Sequence, residues 1–262
     1  MPESGCIIAV LIEKCRKLSC FNMASQRAWD YLLNAVKKPK EPERFKALSE
    51  WFFKDLTIEG GIEHCAEIAY TDLTQSPLAG IGGMPEKEKE DWRHDIERLI
   101  SLCIKDLLIC NLSQQSDFDE WHQKTCEEIR QVSDAHRVHE RVTWMKEMKV
   151  GFTYGLAQKW LNMTLKNMLV AETAEWFKRL NRIKHLLHVP VDQYVLQEAY
   201  QMLGIRDGGK NKKFKPDAWS KWNDYDSYIR FQDRVRKAIE DRDDYDCPID
   251  WEFDAWIAAK EK

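Results

Sequence analysis

Two residues in this sequence have the types and spacing for joint chemistry. Lys159 stands near the start of an apolar-periodic stretch, Lys159–Leu169, and Asp192 opens the next such stretch behind Pro190-Val191. A lysine at the head of one helix and an aspartate at the head of the next can converge on one cleft. A lysine amine is a nucleophile when neutral, a state favoured by partial burial. Leu156, Trp160 and Met163 fall near Lys159 at helical spacing and can supply an apolar wall. A carboxylate beside the amine can move its protons and stabilise positive charge that develops during reaction. The spacing leaves alternatives open. A lysine in the first turns of a helix is ordinarily solvated, Lys166 has the same sequence credentials as Lys159, and Asp192 also fits a helix N-cap.

The elements that must position this pair read as helices. Apolar residues recur at helical spacing over residues 4–38, with Lys37–Arg44, charged and twice interrupted by proline, as a break. Phe45–Leu56 reads as a helix, Gly60-Gly61 as an interruption and Ile62–Asp72 as a resumed helix. Thr74–Pro85 reads as a loop. Glu86–Leu112 follows as a long amphipathic helix with an acidic start that suits the helix dipole. Asp117 or Asp119 is expected to cap the next helix, which runs to about Arg137. No stretch alternates as a strand would, and no internal repeat is visible, so the fold class is all-α.

A chain of 262 residues suffices for one large domain or two lobes sharing a core. The eleven tryptophans must be largely core, with some left as stacking surfaces. The formal net charge of −4 gives no global basic signal. Locally, however, Trp144–Lys237 holds 18 Lys/Arg against 10 Asp/Glu. The excess gathers at Lys178, Arg179, Arg182, Lys184 and the loop Lys210, Lys212, Lys213, Lys215, which is either a solvated surface or a phosphate-binding face. The eight cysteines show no CxxC pair and no Cys/His metal spacing, so no metal is expected and the thiols read as reduced and cytoplasmic. The apolar run Cys6–Ile12 is too short to span a membrane.

Four pieces together resemble the helix-hairpin-helix DNA glycosylases, and within them the archaeal GO (8-oxoguanine) DNA glycosylase branch. They are the glycine-containing turn Val150–Gly155 leading into Ala157-Gln158-Lys159, the helix Lys159–Leu169, the lead-in His188-Val189-Pro190-Val191-Asp192 to a helix ending at Leu203-Gly204, and Pro248–Trp256 near the C-terminus. Lys159 and Asp192 are 33 residues apart, close to the long spacing of that branch. The resemblance covers the C-terminal half. It divides the chain into 1–143, an N-terminal helical region contributing to both lobes, and 144–262, carrying the hairpin, the lysine and aspartate and the last helices. Leu56–Cys65 resembles the segment where the family places a stacking tryptophan, with Cys65 aligned to it.

The resemblance implies a two-lobed, all-α, bifunctional glycosylase/lyase that needs no cofactor. It acts as a monomer on double-stranded DNA with a flipped damaged base, 8-oxoguanine foremost. Lys159 is then the amine that attacks the sugar, and Asp192 the carboxylate beside it, their side-chain ends within about 8 Å. Trp256 stacks on the flipped base, and Glu252, four residues earlier on the same helical face, accepts a purine N–H. Gly151 and Gly155 let unpaired turn amides approach backbone phosphate, beside the basic cluster. Two other classes remain: a non-catalytic DNA-binding protein of the same fold, and a helical protein-interaction protein.

Overall fold

The computed structural model describes residues 58–74, 85–110, 112–139, 152–170, 175–205 and 219–261. The helices expected over 4–38 and 45–56 lie outside these residues, as does most of the loop expected over 74–85. Among the described residues there are eight α-helices and no strand. They are α1 (Ile58–Thr74), α2 (Glu86–Ile109), α3 (Gln115–His139), α4 (Tyr154–Val170), α5 (Glu175–Arg182), α6 (Gln193–Leu203), α7 (Tyr225–Glu240) and α8 (Pro248–Glu261). Single 3-10 turns occupy Lys184–Leu186 and Trp219–Lys221.

Helix α4 is the axis of the molecule. Every residue from Phe152 to Leu169 is buried. Around it pack α1, α3, α5 and the Trp219–Lys221 turn, while α2 bridges α1 and α3. Elsewhere, α6 lies against α8, and α7 touches both. The buried hydrophobic residues form one cluster, to which helices on both sides of residue 144 contribute. Several tryptophans knit it together. The Trp160 indole N–H donates to the Ala66 carbonyl at 2.9 Å, and its ring lies 5.2 Å from Tyr70 and 5.6 Å from Trp92. Such tilted aromatic contacts add to the gain from burial itself.

Two expectations are corrected. Gly60-Gly61 does not interrupt the chain, because α1 runs straight through it. Gly61 is there for space, since a Cβ at that position would run into the Trp176 indole. Neither Asp117 nor Asp119 caps α3, which begins at Gln115. Asp117 sits in the first turn, where a carboxylate favours the helix dipole. Asp119 instead accepts from His188 and Arg236.

Candidate functional site

The centre of the molecule holds an unusual helix. Six polar side chains of α4, Gln158, Lys159, Asn162, Thr164, Lys166 and Asn167, are all buried. Burying a polar group is costly unless it finds a partner, and each of these has one. Thr164 donates to the Trp160 carbonyl at 2.8 Å, and Asn167 donates to the Cys65 carbonyl at 3.2 Å. The other four organise the site.

Gln158 fixes the approach to α6. The segment from Leu187 to Asp192 is buried but is neither helix nor strand, so its backbone groups need partners from elsewhere. Two side-chain amides supply them. Gln158 accepts from the Val191 N–H at 3.2 Å and donates to the Val191 carbonyl at 3.0 Å. Gln232 does the same for Val189, accepting at 3.1 Å and donating at 2.9 Å. Held this way, the segment delivers Asp192 as the N-cap of α6, its Oδ1 accepting from the Val195 N–H at 2.9 Å.

Lys159 and Asp192 meet there. Lys159 Nζ donates to Asp192 Oδ2 at 2.7 Å, and the two side chains keep 9% and 12% of their surface exposed. The Trp219 ring lies over the amine, 5.1 Å from Nζ. The capping role and the ion pair are thus both present in Asp192, on separate oxygens.

Lys166 is placed quite differently. Its ammonium donates to Glu252 Oε1 at 2.8 Å, and the pair is sealed, with side-chain exposures of 0% and 2%. Burial pulls the lysine down from its ordinary 10.5 and pushes the glutamate up from 4.5, while each one's charge opposes the other's shift. Phe253 and Trp256 face the same ammonium at 5.0 and 5.9 Å. Glu252 therefore presents its carboxylate to the interior. Trp251 and Phe253 are core residues, whereas Trp256 is half-buried.

The glycine turn has a packing explanation. Gly155 lies in the first turn of α4, and its N–H donates to the Trp222 carbonyl at 2.8 Å. Thr153 Oγ1 accepts the Leu156 N–H at 3.2 Å and donates to the Ser220 carbonyl at 2.7 Å. The helix start is thus covered by protein. Gly151 lies outside the described residues.

Of the basic residues, Lys178, Arg179 and Arg182 are exposed on α5. Lys184 is engaged internally, donating to both oxygens of Asp250 at 3.0 and 2.9 Å. Lys210, Lys212, Lys213 and Lys215 lie outside the described residues.

A second polar network escapes the sequence reading. Asn162 donates to Gln158 Oε1 at 3.1 Å and to Tyr228 Oη at 2.9 Å. Its Oδ1 lies 3.0 Å from His122 Nε2. Tyr228 Oη lies 2.8 Å from His188 Nδ1, and His188 Nε2 lies 2.7 Å from Asp119 Oδ1. These distances suit a His188 that donates to Asp119 and accepts from Tyr228, and a His122 that donates to Asn162. Burial pulls both imidazoles below their ordinary 6.5. Burial pushes the Asp119 carboxyl up, but His188, Gln115 and Arg236 outweigh it and hold it at about 2. One signal for such a network is visible in retrospect: Gln158, Asn162 and Lys166 recur every four residues, a polar stripe in an otherwise apolar helix.

No helix among the described residues is long and apolar enough to cross a membrane. No group of three or more His, Cys, Asp or Glu among them is arranged to hold a metal ion. No protein-family model, curated protein or solved structure matches this chain.

Proposed function

We propose that the protein is a bifunctional DNA glycosylase/AP lyase with the two-lobed helix-hairpin-helix fold. The observation that carries the reading is the 2.7 Å contact between Lys159 Nζ and Asp192 Oδ2, whose side chains keep 9% and 12% of their surface exposed. Of the two candidate amines, only Lys159 keeps any of its side-chain surface exposed, 9% against 0% for Lys166, so it is the one offered to a flipped nucleotide.

This placement supports a definite chemistry. The Lys159 ammonium first gives a proton to water, and the neutral amine attacks C1′ of the damaged nucleoside as the glycosidic bond breaks. The bonding pair leaves with the base, which takes a proton from water. The amine's own proton passes to the Asp192 carboxylate 2.7 Å away. Before that transfer the carboxylate faces the developing sugar cation. Asp192 returns that proton to O4′ as the sugar ring opens to the imine, and its carboxylate then takes a C2′ proton, which expels the 3′ phosphate and cuts the strand.

The substrate is duplex DNA bearing a damaged purine, 8-oxoguanine foremost, bound by a monomer in the cytoplasm. Trp256 is the stacking surface for the flipped base. Glu252 contributes through its pair with Lys166. Lys178, Arg179 and Arg182 on α5, with Lys210, Lys212, Lys213 and Lys215, meet the phosphates. The test is borohydride trapping of the native protein on duplexes carrying oxidised, deaminated and abasic sites. A covalent adduct on Lys159 supports the reading. Salt-dependent binding with no adduct on any duplex points to a non-catalytic DNA-binding protein. Absence of both leaves the protein-interaction class.

A further inference from the structure

Three observations converge on the Trp219–Lys221 turn. Its backbone is bolted to the start of α4, where the Gly155 N–H donates to the Trp222 carbonyl at 2.8 Å and Thr153 Oγ1 donates to the Ser220 carbonyl at 2.7 Å. The approach is so close that a Cβ on Gly155 would overlap the Trp219 carbonyl. One helical turn further along α4 stands Lys159, and the Trp219 ring, itself 6% exposed, lies 5.1 Å from its Nζ.

We infer that Trp219 is the positioning residue for Lys159, and that Gly155 is a glycine so that the turn carrying Trp219 can dock. The inference deepens the Lys159 reading proposed above and rests on it for its catalytic meaning. The physical reason is geometric. A lysine side chain has four rotatable bonds and no fixed fork, so one carboxylate leaves it free to pivot. A ring face attracts an ammonium through its quadrupole. With Asp192 at one side of the amine and the indole at another, the side chain has one favoured direction. The ring also covers one side of the amine. This assigns Gly155 a role in the same site by a route other than phosphate contact.

The test uses the full chain and reads Lys159 directly. Reductive methylation with formaldehyde and dimethylamine-borane is followed residue by residue by peptide mass spectrometry, with exposed Lys178 as the internal reference. Lys159 should be methylated much more slowly than Lys178. Trp219→Leu, which keeps apolar bulk but removes the ring face, should accelerate Lys159 by about five-fold or more, and Trp219→Phe should stay within about two-fold of native. Gly155→Ala should mimic Trp219→Leu, because it moves the turn without touching either side chain. An unchanged Lys159 rate in Trp219→Leu would overturn the inference.

Should the variants unfold, the native protein still decides. The Lys159 ε-methylene protons, assigned by their loss in Lys159→Gln, should be shifted upfield by the ring current, and a random-coil position would count against the inference. Trapping on abasic DNA then separates the two readings. If native protein traps, Trp219→Leu should lower the single-turnover rate while leaving the DNA Kd unchanged, a split that simple loss of fold does not produce. If native protein never traps, the glycosylase reading fails, while methylation and the ring-current shift still decide whether Trp219 positions Lys159.

Discussion

Asp192 divides its carboxylate between its own helix and Lys159. Oδ1 accepts the Val195 N–H at 2.9 Å, and Oδ2 lies 2.7 Å from the lysine Nζ. The two roles can be pulled apart by choice of substitution. Asparagine caps a helix about as well as aspartate does. Asp192→Asn should therefore keep the cap, lose the charge and abolish strand scission. Asp192→Ala should do the same to scission and cost a further ~1–2 kcal/mol of stability. Urea denaturation of the two variants, run beside the trapping assay, checks the separation.

The two lysines of α4 should behave as opposites. Lys159→Gln should remove trapping and cost less stability than loss of Lys166, because Lys159 and Asp192 keep 9% and 12% of their side-chain surface exposed where Lys166 and Glu252 keep 0% and 2%. Lys166→Met should leave Glu252 buried without this counter-charge and cost roughly 3–5 kcal/mol. Replacing both members, Lys166→Met with Glu252→Leu, should recover most of that loss. Thermal melts of the four proteins test this. A Lys166→Met protein as stable as native would contradict the geometry.

Charge reversal on α5 should weaken duplex binding without regard to sequence. The exposed residues are Lys178, Arg179 and Arg182, and phosphates carry no base identity. The triple reversal should also flatten the slope of log affinity against log salt by about 2–3. Lys184→Ala should act mainly on melting temperature instead, since that ammonium is tied to Asp250. Fluorescence anisotropy across a salt series distinguishes the two effects.

Stability should respond to acid through His122 and His188. Burial holds both below their ordinary 6.5, so the unfolded chain takes up protons first. Their contribution is complete above about pH 6.5 and is lost as pH falls below it. Glu97 acts in the opposite sense, because burial lifts it to about 7, and it favours folding as pH falls from there toward its ordinary 4.5. The comparison must therefore be with His122→Gln and His188→Gln. Each should have a smaller loss of urea midpoint between pH 7.5 and pH 5.5 than native, within the range where the imidazoles titrate. Identical slopes would place the imidazoles outside the acid response.

Much of the backbone was legible in the sequence. The periodicities of Glu86–Leu112 and Lys159–Leu169 and the lead-in at Pro190 each correspond to an observed helix. Helical spacing is a local property, so it survives without knowledge of the fold. The failures were of another kind. Gly60-Gly61 looked like a break because the indole that fills its space belongs to Trp176, far along the chain. Asp119 looked like a cap because its partners His188 and Arg236 are equally remote. Glu252 has a partner just as remote. Its place on the helical face beside Trp256 could be read, but nothing local announces that Lys166, 86 residues earlier, holds it. Partner choice among buried polar groups is decided by tertiary packing.

The burial of α4 bears on the order in which the molecule can be made. Its polar residues are synthesised well before the groups that neutralise them. Asp192 emerges 33 residues after Lys159, Tyr228 emerges 66 after Asn162, and Glu252 emerges 86 after Lys166. While the chain is still on the ribosome, α4 carries ammonium and amide groups with no home in an apolar interior. Its docking must wait for Pro248–Glu261, so the nascent chain holds its central helix in water until that segment has been made. A chain cut before Pro248 would keep every hydrophobic residue of α4 and still lack the carboxylate that permits the helix to go inside.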